Sequence, residues 1–232
     1  MEKMRILLVG HGRMGRMVER LSVDYDCEVA GIVEIDNASR LESAAADWGQ
    51  VDAAIDFSYP DAVPVNVPAL ARLGINVVVG TTGWGSHEAD VRRAAAEAGI
   101  GVVVAPNFST GVVLFEALVA RAAKLFASHE EFGAWLHEAH HAAKKDAPSG
   151  TALALKRAME GAGFSRPIDV SSTRAGHIPG THTIGFDGAA ESITLSHTAR
   201  DRSAFARGAL LAARWIKGRH GWFTMHDVLG LH

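Results

Sequence analysis

Over the first hundred residues, short and almost wholly apolar runs alternate with longer stretches whose apolar positions recur every three to four residues. The runs are MRILLV, CEVAGIVE, VDAAIDF, INVVVG and IGVVVAP; between them lie RMGRMVERLSVDY, DAVPVNVPALARLG and SHEADVRRAAAEAG. A strand that is apolar on both faces belongs in a sheet covered on both sides, and the helical stretches supply that cover. With right-handed crossovers, the pattern predicts a doubly wound parallel α/β sheet.

The first run leads straight into Gly10-His11-Gly12-Arg13-Met14-Gly15, a G-x-G-x-x-G set between strand and helix. Gly10 permits the tight turn, Gly12 lets a pyrophosphate approach the backbone, and Gly15 lets the helix lie close to the strand. The helix N-terminus adds free N–H groups and partial positive charge for the phosphates. Glu34 follows at the end of the second strand, where an acid accepts hydrogen bonds from adenosine ribose hydroxyls. NAD(H) is therefore the expected cofactor. A carboxylate repels a 2′-phosphate, and Ile35-Asp36 offers no adjacent arginine. Arg13, Arg16 and Arg40 leave NADP(H) open, and FAD suits the same arrangement. Two later loops follow strand ends, Gly80-Thr81-Thr82-Gly83 and Ala105-Pro106-Asn107-Phe108-Ser109. Ligands of open parallel sheets sit outside such ends, so both loops are placed to hold a nicotinamide half.

Composition narrows the function classes. The 232 residues are 48% hydrophobic and 21% charged, with a net charge of −3, which gives no reason to expect nucleic acid or an anionic membrane. The one cysteine, Cys27, cannot form an internal disulfide or a cysteine-based metal site. No apolar run approaches the roughly 18–20 residues of a membrane helix, and the N-terminal apolar run is too short for a signal peptide. A soluble, cytoplasmic protein is expected.

Residues 137–151, HEAHHAAKKDAPSGT, open with the metal-protease pattern H-E-x-x-H. That pattern needs a helix, which puts both histidines on one face. The preceding EEFGAWLHEAHH instead alternates like a strand, with Ala134, Leu136, Glu138 and His140 on one face and Trp135, His137, Ala139 and His141 on the other. His137 and His141 would then stand about 13 Å apart, too far to share a zinc ion, so no metal is expected. Lys144, Lys145 and Asp146 lead into Pro148-Ser149-Gly150-Thr151 and a helical run. Ser149 is a plausible N-cap, and Gly150 and Thr151 open a helix whose backbone N–H groups suit a carboxylate. Histidines and a lysine beside that terminus predict a pocket for a small dianion, with histidine able to exchange a proton near neutral pH.

The stretch EAHHAAKKDAPSGTA, with VGHGRMGR, GTTGW, PNFS, RAGHIPGTH, SHTARDR and HDVLGL, resembles the 4-hydroxy-tetrahydrodipicolinate reductase (dihydrodipicolinate reductase) family. The resemblance implies a Rossmann-like dinucleotide-binding domain from residues 1–108 and 203–232. Residues 109–202 would form a central α+β domain with an open mixed sheet for substrate binding and oligomerisation, in a homotetramer. It also implies reduction of a cyclic dicarboxylate in the diaminopimelate route to lysine. In that reading His140 is the general acid and Lys144 assists it. His141 and Lys145 are neighbouring contacts, and Ser149, Gly150 and Thr151 hold a substrate carboxylate. The residues from Gly10 to Gly15 and Glu34 match the adenosine and pyrophosphate region. Gly80, Thr82, Asn107 and Phe108 match the nicotinamide region, and Phe57 lines the groove. Two departures stand out: Ile35 replaces an arginine found in many members, and the segments 34–52 and 163–174 are short. An amino-acid dehydrogenase, a redox sensor that binds NADH without turnover and a non-catalytic interaction module remain alternatives.

Overall fold

The computed structural model describes residues 3–34, 41 and 45–231. They form two compact units, Met1–Thr110 with Phe205–His232 and the intervening Gly111–Ala204.

The first unit holds β1 (Met4–Val9), α1 (Arg13–Leu21), β2 (Cys27–Val33), α2 (Ala45–Trp48), β3 (Ala53–Asp56), α3 (Val63–Arg72), β4 (Asn76–Val79), α4 (Glu88–Ala98) and β5 (Gly101–Val104). The second holds α5 (Thr110–Phe126), β6 (Gly133–His140), α6 (Gly150–Gly161), β7 (Ile168–Arg174), β8 (Thr181–Asp187) and β9 (Ser192–Thr198). The chain then returns to the first unit with α7 (Ser203–Ile216), β10 (Gly221–Phe223) and α8 (Met225–Leu229).

In the first unit six strands run in the order β10-β5-β4-β3-β1-β2, every neighbouring pair parallel. The all-apolar runs are why: Ala53, Ala54, Val77, Val78, Val102 and Val103 are fully buried, so both faces of the central strands need a helix over them. Helix α7 seals part of that core with Ala206, Ala209, Leu210, Ala212, Ala213 and Ile216, all fully buried. Its small residues permit close approach. A Cβ on Gly208 would fall 1.7 Å from the Phe108 carbonyl oxygen.

The second unit carries a mixed four-stranded sheet, β7-β6-β8-β9, with β6 parallel to β7 and antiparallel to β8. The core joins Phe115 and Val119 of α5, Leu155 and Met159 of α6, and Leu136, Ile184 and Phe186 of the sheet. Burying a side chain of this size stabilises by roughly 1.5–3 kcal/mol before the opposing loss of chain entropy. On β6 the expected alternation appears, with Ala134, Leu136 and Glu138 buried and Trp135, His137 and Ala139 half-buried. The Trp135 indole lies over Gly185 of β8, where a Cβ would come within 2.2 Å of the ring. H-E-x-x-H thus begins within a central strand, and the helical geometry that a metal protease requires is absent there.

Candidate active site and nucleotide cleft

In the first unit the glycine turn is built by exclusion. Gly10 has φ +88°, its N–H donates to the Val33 carbonyl at 2.8 Å, and a Cβ there would lie 2.5 Å from the Phe57 carbonyl oxygen. A Cβ on Gly15 would lie 2.1 Å from the Gly10 carbonyl oxygen, so α1 closes directly onto the turn. Gly12 differs: no atom lies within 4 Å of its Cβ position, and it stands at the N-cap of α1 with no side chain capping the helix. Open space over a helix N-terminus is what a pyrophosphate requires. His11 sits between two carboxylates, with Nε2 2.7 Å from Glu19 and Nδ1 3.6 Å from Glu34. It thereby anchors Glu34 at the lip of a cleft lined also by Val9, Gly12, Phe57, Tyr59 and Asn66. Asn66 Oδ1 is buried there and has no hydrogen-bond donor among the described residues, an acceptor suited to a ligand N–H. Arg13 is exposed and Met14 half-buried. Ile35, Asp36 and Arg40, which bear on the 2′-phosphate question, lie outside the described residues.

The loops after β3, β4 and β5 meet around Phe57. Its ring meets Phe108 edge-on at 6.3 Å, and a Cβ on Gly80 would strike the same ring at 2.1 Å. Asp56, fully buried, accepts from the Ser58 N–H and hydroxyl (3.0 and 2.7 Å), the Thr81 hydroxyl (2.7 Å) and the Asn66 amide (3.2 Å). Thr81 therefore fixes the loop through Asp56, while Thr82 is exposed. Asn107 Oδ1 accepts from the Ser109 N–H at 2.8 Å, Ala105 and Phe108 are buried, and Pro106 is exposed. The sequence reading passed over Asp56; an acid closing an otherwise apolar strand was the available signal.

In the second unit the chemistry gathers where β6 ends. Glu138 is fully buried, and its carboxylate receives the Arg174 guanidinium on both oxygens, at 2.9 and 2.6 Å. The Ser149 N–H donates to it at 3.2 Å, and His140 contacts it through Nδ1 in a short hydrogen bond. Burial alone would raise the carboxyl pKa, but hydrogen bonds from Arg174, Ser172 and His140 outweigh it and pull it down to about 2. Desolvation lowers His140 below the ordinary histidine value; Glu138 opposes that shift, while Lys144 and Arg174 add to it. His182 of β8 stands edge-on to His140 at 5.2 Å and 3.1 Å from the Ser149 hydroxyl. Burial, reinforced by the nearby His140 charge, lowers it to about 4. Neutral His182 Nε2 then accepts the Ser149 proton, leaving the Ser149 oxygen to cap the Ala152 N–H of α6 at 3.1 Å.

Beside this network the Lys144 ammonium grips Asp146 through both carboxylate oxygens, at 2.7 and 2.9 Å. Lys144, and further Asp146's own and the Gly150 backbone N–H, lower the Asp146 pKa. The N-terminus of α6 and Lys144 thus already share one carboxylate. Gly150 is exposed and Thr151 half-buried on the same turn. His141 is half-buried and Lys145 exposed, and neither enters the hydrogen bonds around Glu138. Glu138, His140 and His182 offer ligand atoms within 4.8 Å of one another, a spacing that a metal ion can use. The donor chemistry disfavours it, because an arginine fork already occupies both Glu138 oxygens and the Lys144 and Arg174 charges repel a cation.

A parallel sheet with a phosphate-sized opening over a helix N-terminus, in one chain with an imidazole–carboxylate pair beside a carboxylate-holding helix, defines the class of two-unit nucleotide-dependent oxidoreductases. Residues 4–108 match the family model described as dihydrodipicolinate reductase, N-terminus, and residues 111–229 match that described as its C-terminus. The chain belongs to the dihydrodipicolinate reductase family. It is similar to the 4-hydroxy-tetrahydrodipicolinate reductase of Christiangramia forsetii, at 34% identity over 97% of this chain and 98% of that one. The enzyme of the same name from Methanoregula boonei is 37% identical, over 95% of each chain. Among solved structures, dipicolinate-bound dihydrodipicolinate reductase from Paenisporosarcina sp. TG-14 shares the fold, with a TM-score of 0.81, 21% identity and coverage of 97% and 98%. No helix among the described residues is long and apolar enough to cross a membrane.

Proposed function

We propose that this chain reduces 4-hydroxy-tetrahydrodipicolinate to tetrahydrodipicolinate with NAD(P)H, in the diaminopimelate route to lysine, with His140 as the proton donor. Family membership across almost the whole chain supports the reaction. One observation carries the site: a carboxylate-clamped imidazole shares a unit with a helix terminus that already holds a carboxylate. The dipicolinate bound by the Paenisporosarcina enzyme is a small ring dicarboxylate, the ligand class such a terminus takes.

Loss of water from the 4-hydroxy compound would leave a conjugated ring imine, and a nicotinamide cofactor, when bound, would supply hydride to its C4. A substrate carboxylate replaces Asp146 on Lys144 and on the Gly150 N–H and also takes the Thr151 N–H, with Ser149 fixing that turn. His141 and Lys145 lie beside it for the second carboxylate. His140 protonates the carbon next to C4 as the enamine collapses, and Lys144 balances the charge. The unit of Met1–Thr110 and Phe205–His232 serves as the dinucleotide domain. Gly10, His11, Gly12, Arg13, Met14 and Gly15 would hold the pyrophosphate, Glu34 the ribose hydroxyls, and the loops at 80–82 and 105–108 with Phe57 the nicotinamide. The exposed Glu34 carboxylate favours NADH over NADPH. The unit Gly111–Ala204 serves substrate binding and a cytoplasmic homotetramer. Its outer strand β9 presents Ile193 at 45% exposure, which supports assembly through that sheet.

The test is the oxidation of NADH, then of NADPH, with substrate generated in situ by the condensing synthase. Rapid oxidation that depends on the synthase product is expected, faster with NADH. Bound NADH without oxidation would overturn the substrate assignment.

A further inference from the structure

We infer that Glu138 is a positioning residue for this reaction: clamped by Arg174, its carboxylate fixes a proton on His140 Nδ1 and so makes Nε2 the atom through which His140 delivers its proton. The inference rests on the reading of His140 as the donor.

An ionised carboxylate only accepts hydrogen bonds, so the Glu138 contact requires His140 to donate Nδ1–H. Neutral His140 then keeps its lone pair on Nε2, and protonated His140 has one proton to give, at Nε2. That edge of the ring faces Gly180, where a Cβ would stand 3.1 Å from Nε2, so a glycine at this position leaves the ring its room.

The carboxylate itself cannot swing. Strands β6 and β7 pair His140 with Arg174, and the guanidinium that forks onto Glu138 is tied in turn to the Asp146 carbonyl at 2.6 Å and the Thr173 carbonyl at 2.8 Å. Oε1 of Glu138 also takes the Ser149 N–H, at the cap of α6. One buried anion therefore sets both the proton donor and the N-cap of the carboxylate-binding helix, fixing their separation.

Glu138 from β6, Arg174 from β7, His182 from β8 and Lys144 from the following loop are the charged and titratable groups acting on His140. Without the Glu138 charge, Lys144 and Arg174 act on the imidazole unopposed and its proton affinity falls.

The first measurement is the tautomer of His140 in the whole wild-type protein, by imidazole nitrogen NMR above its titration, with the resonance assigned by its loss in His140→Gln. A protonated Nδ1 and a bare Nε2 are expected; the reverse tautomer overturns the inference. The second is the pH dependence of kcat in Glu138→Gln, whose amide can donate to Nδ1 and reverse the tautomer. We expect kcat to fall about 10²-fold, the alkaline limb of the kcat profile to move to lower pH, and NADH affinity to stay unchanged. A wild-type tautomer and pH limb in Glu138→Gln, whatever the loss of kcat, would make Glu138 merely structural. If that variant does not fold, the wild-type tautomer decides alone. Absence of turnover in the wild type would remove the substrate assignment and leave the tautomer result standing.

Discussion

Glu34 and Glu138 are both carboxylates on or beside strands, and their surroundings separate them. Glu34 is exposed, with His11 Nδ1 3.6 Å away, at the edge of the cleft. On the proposed reading, Glu34→Ala would remove the repulsion of a 2′-phosphate and the acceptor for ribose hydroxyls; the NADPH/NADH affinity ratio should rise, by about tenfold for a loss of roughly 1.4 kcal/mol of discrimination. Cofactor titration of the variant checks it, and an unchanged ratio removes Glu34 from selectivity. His140→Gln keeps a polar side chain beside Glu138 but loses the proposed proton donor. Turnover should drop by roughly 10²–10⁴-fold with little change in NADH binding, read from kcat alongside a fluorescence titration. The tight glycine turn and the place of Glu34 at the end of β2 could be expected from the sequence because the spacing is local. Alternation also placed Glu138 on the same face as Leu136. The sequence does not say which cation answers a buried acid: Arg174 stands 36 residues away and joins it only through the parallel pairing of β6 and β7.

Among the elements, the strands of the first unit could be read because short β-branched runs such as NVVV recur between helical stretches, the pattern of a doubly covered sheet. Helix α7 was harder. Its face is mostly alanine, and what matters is closeness, visible only once Gly208 lies against the chain that follows β5. Gly208→Ala places a methyl group against backbone that cannot rotate away. Destabilisation of about 1–3 kcal/mol is expected from overpacking, checked by the urea midpoint. Because the carbonyl it strikes belongs to Phe108, NADH affinity should weaken as well. A midpoint equal to wild type would mean that α7 shifts without cost.

For the molecule as a whole, acid is the informative stress. His182 is buried and neutral in the fold down to about pH 4, whereas in the unfolded chain it takes up a proton near 6.5. Stability should therefore fall as pH drops from 6.5 to 4, by roughly 3 kcal/mol from this group. Glu138 continues the loss between pH 4.5 and about 2, because its folded carboxylate resists a proton that the unfolded one accepts. Urea denaturation across this range should show the decline, and His182→Gln should flatten its upper part. An identical slope in the variant would assign the acid sensitivity elsewhere. At this scale the pattern of apolar runs foretold the parallel sheet, while its completion by the other end of the chain came only from the resemblance, since periodicity carries no information on which distant segments meet.

That return of the chain has a consequence for synthesis. The four strands of the central unit, Gly111–Ala204, are contiguous in the chain, so all of its sheet is translated before β10. The six-stranded sheet must wait with β5 as a bare edge until Gly221–Phe223 emerges, an interval of roughly 5–25 s at about 5–20 residues per second. During that time the Val102 and Val103 strand is an open invitation to a neighbouring nascent chain, and the nascent first unit is the stage of this protein's life most in need of a chaperone.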